Sequence, residues 1–526
     1  MPVKRIGNEE DMTMLSVSKR LLLFLFLALP LALGTPAVAA DSGKTLRYAA
    51  GSFGEESMDP TRTSISASLG LVGPLWDWLT EIDAAGKLSP GLALSWKAGE
   101  DGKSWTFKLR PGVKFHDGSE MSAEDVQFTL MEGFRRPKAK ASRVRQFRKG
   151  IKDVKVVDPL TVTVVTAKPW PTFPYDMSFQ PGIEGIVLPK AYIKKVGWDG
   201  FAQKPVGTGP WKFVKHEVGN FIEFEAVKDH WRKSPNFDRL RTVLVKEAAT
   251  RVAMLKTGQV DVARISLDEV QDVTKAGLKI AEDPQPTSVR IHLYATYYDE
   301  AGPVKDVRVR QALNLAVNRQ EIVDTLLHGK GKPAAVFPSS PISIGYPADL
   351  KPYPYDPAKA KKLLAEAGYP NGFSIKLFAL PTGGFTQFLQ LAEIVAGYWE
   401  AIGVKTSIVP TDIGAFRPLY IANPQSPKIV GQAGTFATTG RLNGSDSLRI
   451  WWSAKGRIIK MANTVDDIAA AAAGEATIDG IAAQVRKAYT ILHNEYRGVP
   501  IADVKGILWG YGNKVKDIQV RPHRRY

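Results

Sequence analysis

The stretch LSPGLALSWKAGEDGKSWTFKLRPGVKFHDGSEMSAEDVQFTL, Leu88 to Leu130, decides the reading of the fold. A Ser-Pro-Gly turn opens it. Asp101-Gly102 marks a second, tight turn, because glycine tolerates the positive φ that such turns require. The alternation that follows predicts a strand over Trp105 to Leu109, with Trp105, Phe107 and Leu109 on one face and Thr106, Lys108 and Arg110 on the other. Pro111-Gly112 breaks the strand. Phe115-His116-Asp117-Gly118 leads into a helix starting at Ser122, with Asp125 three residues on in a capping-box arrangement.

Working outward, the 526 residues are enough for two or three domains with large cores, at about 100–200 residues per domain. Hydrophobic content of 44% and charged content of 23% are those of a globular chain. The first forty residues differ. Lys19-Arg20 precedes the apolar run Leu21 to Leu33, and Pro36-Ala37-Val38-Ala39-Ala40 supplies small residues for signal peptidase, so a secretory signal cut after Ala40 is expected. Glu9, Glu10 and Asp11 are out of place in a basic leader, and Met12 or Met14 is an alternative start. No other run is long and apolar enough to predict a membrane span. There is no cysteine, hence neither a disulfide nor a lipid-anchoring cysteine, and a periplasmic location is expected.

The formal charge of +17 leaves +16 after the leader, whose own balance is +1. Such a balance suits nucleic acid, a membrane surface or acidic ligands. Export and the lack of basic runs interleaved with aromatics argue against nucleic acid, so scattered solvated lysines and arginines are the expectation. The densest patch, from Arg135 through Lys149, reads as an exposed helix or loop.

Elsewhere the pattern predicts alternating strands and helices, an α/β class. Strands are expected at Lys44 to Ala49, Val154 to Val157, Thr161 to Val165, Trp211 to Val214 and Phe221 to Ala226. A helix is expected over Ser66 to Leu79, and another, capped by Asp306, over Val307 to Leu327 with Val309, Leu313, Ala316, Val323 and Leu327 on its apolar face. Ser374 to Phe378, Gln387 to Ile402 and Val404 to Val409 form a βαβ-like unit.

Catalytic signatures are weak. There is no G-x-S-x-G or H-E-x-x-H, and the seven histidines show no metal-ligand spacing. His116-Asp117 reads as a polar turn pair at a helix entry, with a secreted hydrolase using these two residues as the rival. The expectation is a protein that is not an enzyme and has no cofactor. Aromatics in polar or glycine-rich surroundings, namely Phe53, Tyr297 and Trp451-Trp452, suit either core packing or an enclosed small-molecule site.

The opening stretch resembles the signature of the family 5 (peptide/nickel type) extracytoplasmic solute-binding proteins of ABC importers. The residues carrying the likeness are Leu94-Ser95-Trp96, Trp105-Thr106-Phe107, Gly112 to Gly118 and Ala123 to Val126. Further likenesses stand in the family's order. These are Gly207-Thr208-Gly209-Pro210, Asp229-His230-Trp231, Gly258 to Asp261, Val307 to Leu313 with Asn318-Arg319, Asp356-Pro357 and Ala367-Gly368-Tyr369. The resemblance implies a two-lobed periplasmic-binding-protein fold of the class II type, with an inserted domain and a hinged ligand cleft. It places lobe one at 41–81, 201–295 and 505–526, the inserted domain at 82–200 and lobe two at 296–504.

The resemblance also implies capture of a peptide or peptide-like solute by a monomer, closure of the lobes, and delivery to the importer's membrane permease. The residues nominated for ligand contact are Phe53, Glu55, Tyr297, Arg417, Tyr420, Arg441, Asp446, Trp451 and Trp452. In one place the chain departs from the family. Peptide-binding members carry an acidic segment ending in Asp-Pro that holds the peptide's ammonium group. The corresponding Thr435 to Trp452 has Asp446 as its sole acid, no Asp-Pro, and Arg441 and Arg449 besides. Asp446 is either a helix cap or an ammonium partner, and a non-peptide solute such as an opine, a sugar acid or another small anion is the alternative ligand.

Overall fold

In the computed structural model the described residues are 44–516 and 518, without 55, 63–71, 84–85, 141–143, 180–181, 284–285, 383–384, 423, 440, 454–463 and 506–507. The expected leader and Glu55 lie outside them.

The strands are β1 (Thr45–Ala50), β2 (Thr80–Ile82), β3 (Leu88–Pro90), β4 (Ala93–Ala98), β5 (Ser104–Leu109), β6 (Ile151–Asp158), β7 (Thr161–Thr166), β8 (Trp211–Glu217), β9 (Phe221–Ala226) and β10 (Arg239–Leu244). They continue with β11 (Val262–Ile265), β12 (Lys279–Glu282), β13 (Thr287–Leu293), β14 (Gly331–Pro333), β15 (Ser374–Ala379), β16 (Lys405–Pro410), β17 (Ala433–Thr439), β18 (Val499–Val504) and β19 (Leu508–Tyr511). One seven-stranded sheet has the order β12-β19-β11-β1-β10-β9-β8, and a six-stranded sheet the order β14-β18-β13-β17-β15-β16. A four-stranded sheet, β4-β5-β7-β6, holds the hairpin of the opening stretch, and β2 pairs with β3.

The hairpin forms as its sequence dictates. Phe107 and Leu109 are buried while Trp105 is half-buried, and the Ser122 N–H donates to the Asp125 carboxylate at 2.9 Å at the head of the helix Ala123–Phe128. The layer is stapled to the first sheet through the loop between Val206 and Pro210. A Cβ on Gly207 would stand 2.1 Å from the Leu75 carbonyl oxygen, and one on Gly209 2.4 Å from the Trp76 nitrogen, so only glycine allows this approach. His116 fastens the same loop. Its Nδ1 accepts from the Gly207 N–H at 3.2 Å and its Nε2 donates to the Gly209 carbonyl at 2.9 Å. Both ring nitrogens are therefore committed to backbone, and Asp117 accepts from Ser119 within its own turn. The pair is framework, not acid–base machinery.

Two expected helices differ. Of Ser66 to Leu79, the described part contains only the 3-10 turn Gly73–Leu75; Trp76 is already extended, because Gly73-Pro74 cannot propagate a helix. The helix after Asp306 divides into Val307–Leu315 and Arg319–Thr325, since Asn318 takes the capping role and accepts from the Glu321 N–H. The expected apolar positions are buried all the same.

The expected boundary at residue 295 also moves. β13 pairs along its full length with β17 and over Thr287 to Ile291 with β18, so residues 287–293 belong to the six-stranded sheet. The chain passes between the two large sheets twice, from β12 to β13 and from β18 to β19. One apolar cluster joins Ala49, Val252 and Ala263 of the first sheet's region to Val289, Ile291 and Leu377 of the second. Another joins Phe53, Leu75 and Trp76 to Phe107, Phe128 and Phe173 of the hairpin layer.

Candidate ligand cleft

Binding crevices in open α/β sheets lie outside the carboxyl ends of parallel strands. In the first sheet β1 runs parallel to β10 and β11, and in the second β15 runs parallel to β16 and β17. Among the segments leaving these ends are Gly51 to Phe53, Ser266 to Asp268, Pro381 to Gln387 and Arg441 to Asn443. Two of them meet directly. The Gln387 side chain, beyond β15, donates to the Asp268 carboxylate, beyond β11, at 2.8 Å. Asn443, beyond β17, reaches Thr172 of the hairpin layer at 3.3 Å. Where the chain crosses, Glu282 receives Lys330 at 2.9 Å and also Lys505. These contacts link the strand-end loops and crossing segments of the two sheets to one another and to the hairpin layer.

The residues nominated from sequence are scattered over the fold. Phe53 lies just beyond the carboxyl end of β1, buried against the hairpin layer. Arg441 lies at the β17 end with its side chain exposed, its carbonyl accepting from Ser343 Oγ at 2.7 Å. Asp446 follows on the turn Gly444–Ser447. It is buried and ion-paired to Arg449 at 3.1 Å, and the cap of that turn is Asn443, whose side chain accepts from the Ser445 N–H. Tyr297 follows the Leu293 end of β13, which pairs with the first residue of β17, so it leaves the strands at the end opposite to Arg441. Burial holds its hydroxyl far above the usual tyrosine range. Arg417 is exposed on the helix Ile413–Ile421. Tyr420, Trp451 and Trp452 belong to the core of lobe two, with Tyr420 and Trp451 edge-on to Phe436 and Trp452 against Phe337.

Sequence reasoning missed what those aromatics enclose. Along β13, Val289, Ile291 and Leu293 face one apolar cluster while Ser288, Arg290 and His292 face the other, a pattern that reads as a half-solvated strand. Both faces are buried instead. The Arg290 guanidinium sits 4.8 Å from the Trp451 ring and 5.2 Å from those of Phe337 and Phe436. It donates from Nε to His292 Nε2 at 3.3 Å and from Nη1 to the Ser288 carbonyl at 3.0 Å. His292 thus carries its proton on Nδ1. Burial pulls Arg290 down to about 9, and burial plus the Arg290 charge push His292 well below its ordinary value. Asp503, paired in register with Ser288, is pushed up to about 7 by burial, against the pull of Arg290. Among the described residues, no group of three or more His, Cys, Asp or Glu side chains is placed to hold a metal ion.

Residues 87–433 match the middle region of the bacterial extracellular solute-binding proteins, family 5. The chain belongs to this family. As a family 5 solute-binding protein it is 32% identical over 358 residues to heme-binding protein A of Haemophilus influenzae, an alignment spanning 63% of each chain. It is 32% identical over 362 residues to the glutathione-binding protein GsiB of Pectobacterium atrosepticum, spanning 68% of each. The solved structure of HbpA2 from Haemophilus parasuis superposes with a TM-score of 0.75 at 26% identity, over 91% of this chain and 97% of that one. The two large sheets are accordingly the two lobes of a family 5 protein.

Proposed function

We propose that this protein is the periplasmic capture component of an ABC importer, taking a small peptide-like solute between its lobes and presenting the closed form to the membrane permease. The observation that carries this reading is the meeting of the strand-end loops at Gln387 and Asp268. A solute gripped from both sides there favours closure by its differential contacts with the closed form. The chain acts as a monomer, and no chemistry is done on the solute.

A second reading is favoured by one observation. Asp446, the sole acid in the segment that would hold a peptide ammonium, is buried and held by Arg449, while Arg441 is exposed at the β17 end. That pattern suits an anionic solute, whether an acidic peptide, an opine or a sugar acid. The relative named for glutathione fits both readings, since glutathione is a small peptide with two carboxylates. The test is thermal unfolding of ligand-stripped protein against reduced glutathione, neutral and acidic dipeptides, opines and sugar acids. A ligand at about 100 times its Kd stabilises by about 2.7 kcal/mol. Failure of every compound to raise the Tm would remove the proposal, and stabilisation by neutral dipeptides alone would remove the anionic reading.

A further inference from the structure

The segment leaving β1 contains a strained residue that the solute reading does not use. Glu56 has a φ of 48°, in the left-handed region that costs a residue with a Cβ about 1–2 kcal/mol. It is not a glycine turn, so the surroundings must hold it there. Its carboxylate Oε2 accepts two hydrogen bonds, from His216 Nε2 at 3.2 Å and from the Gly219 N–H at 2.8 Å. Both donors belong to the β8–β9 hairpin, about 160 residues on. The hairpin turn is itself fixed at the carboxyl end of β10, because the Leu244 N–H donates to the Asn220 carbonyl at 2.7 Å. Three residues further, Asp59 is fully buried, receives the Arg136 guanidinium and accepts from Thr61 Oγ1 at 2.7 Å. Arg136 in turn lies over the Trp198 ring at 3.9 Å. The Asp59 anchor ties the segment to the hairpin layer, and the Glu56 anchor ties it to the edge of lobe one's sheet, next to the cleft residue Phe53.

Resting on the solute-capture reading, we infer that Glu56 is a positioning residue: its latch to His216 and Gly219 sets the backbone of the cleft segment around Phe53 and thereby sets solute affinity. The latch keeps the segment in its binding conformation before the solute arrives, so the ordering cost is not met at binding. Glu56 need not touch the solute.

Two variants test this in the full-length mature protein. Glu56→Gln keeps an acceptor for the Gly219 N–H but removes the charge that strengthens both bonds. Glu56→Gly accepts the left-handed backbone without strain but removes the latch entirely. The readouts are calorimetric binding of reduced glutathione, the Tm, and hydrogen exchange of the peptide spanning residues 50–59 without ligand. The latch predicts faster exchange in that peptide for both variants, more for glycine. It predicts glutathione binding weakened about tenfold in Glu56→Gly and less in Glu56→Gln, with the glycine Tm close to wild type. Unchanged exchange in both variants would overturn the inference, as would a lowered Tm with unchanged affinity, which marks a purely structural residue. If wild-type protein does not bind glutathione, the choice of solute fails and the exchange measurement still decides the latch.

Discussion

Protonating His116 should loosen the hairpin layer from lobe one. Burial lowers this histidine to about 4, outweighing the help its charged form would gain from the Gly209 carbonyl. The neutral ring is what the site requires. Nδ1 must accept from the Gly207 N–H, and a second proton would turn that acceptor into an opposing donor. An unfolded histidine titrates near 6.5, so the folded state binds fewer protons than the unfolded state between the two values. The stabilisation is complete above about pH 6.5 and is lost as the pH falls towards 4. Between pH 7 and 4.5 the loss from this residue alone amounts to about 2.5 kcal/mol. The assay is urea unfolding followed by tryptophan fluorescence at both pH values, in wild type and in His116→Gln, which can hydrogen-bond but cannot titrate. Other groups titrate over the same interval, but they cancel in the comparison. The variant should be less stable at pH 7 and should lose about 2.5 kcal/mol less than wild type on acidification. Identical pH dependence in the two proteins would refute the assignment of His116 as a buried neutral staple.

Three other outcomes follow from the structure. Asp503, held up at about 7 against an unfolded carboxyl near 3.9, disfavours folding progressively as the pH rises from about 4 to 7. Asp503→Asn should therefore gain on wild type by up to about 4 kcal/mol in chemical unfolding at pH 8, and gain little at pH 4. Gly209→Ala forces a Cβ to within 2.4 Å of the Trp76 nitrogen and should cost about 3 kcal/mol or more, seen as a lowered urea midpoint. Gln387→Ala deletes the bridge to Asp268 and should weaken calorimetric binding of the strongest ligand of the panel about fivefold, the equivalent of one hydrogen bond of about 1 kcal/mol, with the Tm of the empty protein little changed.

What could be read from the chain in advance was whatever is decided locally. The turn at Asp101-Gly102, the alternation through Phe107 and Leu109 and the Ser122–Asp125 capping box each depend on residues within a few positions of one another, and each stands in the structure as expected. The helix after Asp306 failed at Asn318, because a capping side chain mid-pattern outweighed a continuous apolar stripe. The polar face of β13 could not be read, since its cover comes from Phe337, Phe436 and Trp451, residues 45 or more positions away in the sequence. The cleft shows the same division. Arg441 was nominated through the segment in which the family resemblance fades and Phe53 as an aromatic in glycine-rich surroundings, and the structure puts both just beyond strand ends. Tyr297, Trp451 and Trp452 were nominated on the same aromatic criterion as Phe53, yet Tyr297 follows the opposite end of the strands, and Trp451 and Trp452, like the nominated Tyr420, are packed in the core of lobe two. Gln387 and Asp268 carry no signal of their own; only the arrangement of parallel strand ends brings them within 2.8 Å.

The central claim, that the two lobes enclose a small solute, is tested most directly by mass spectrometry of the protein purified natively from its own cells, before and after denaturation. The account predicts one small molecule per chain, released on unfolding and restoring the Tm when added back to the stripped protein. Native protein that carries no small molecule, with a Tm that no small-molecule extract of those cells raises, would contradict it.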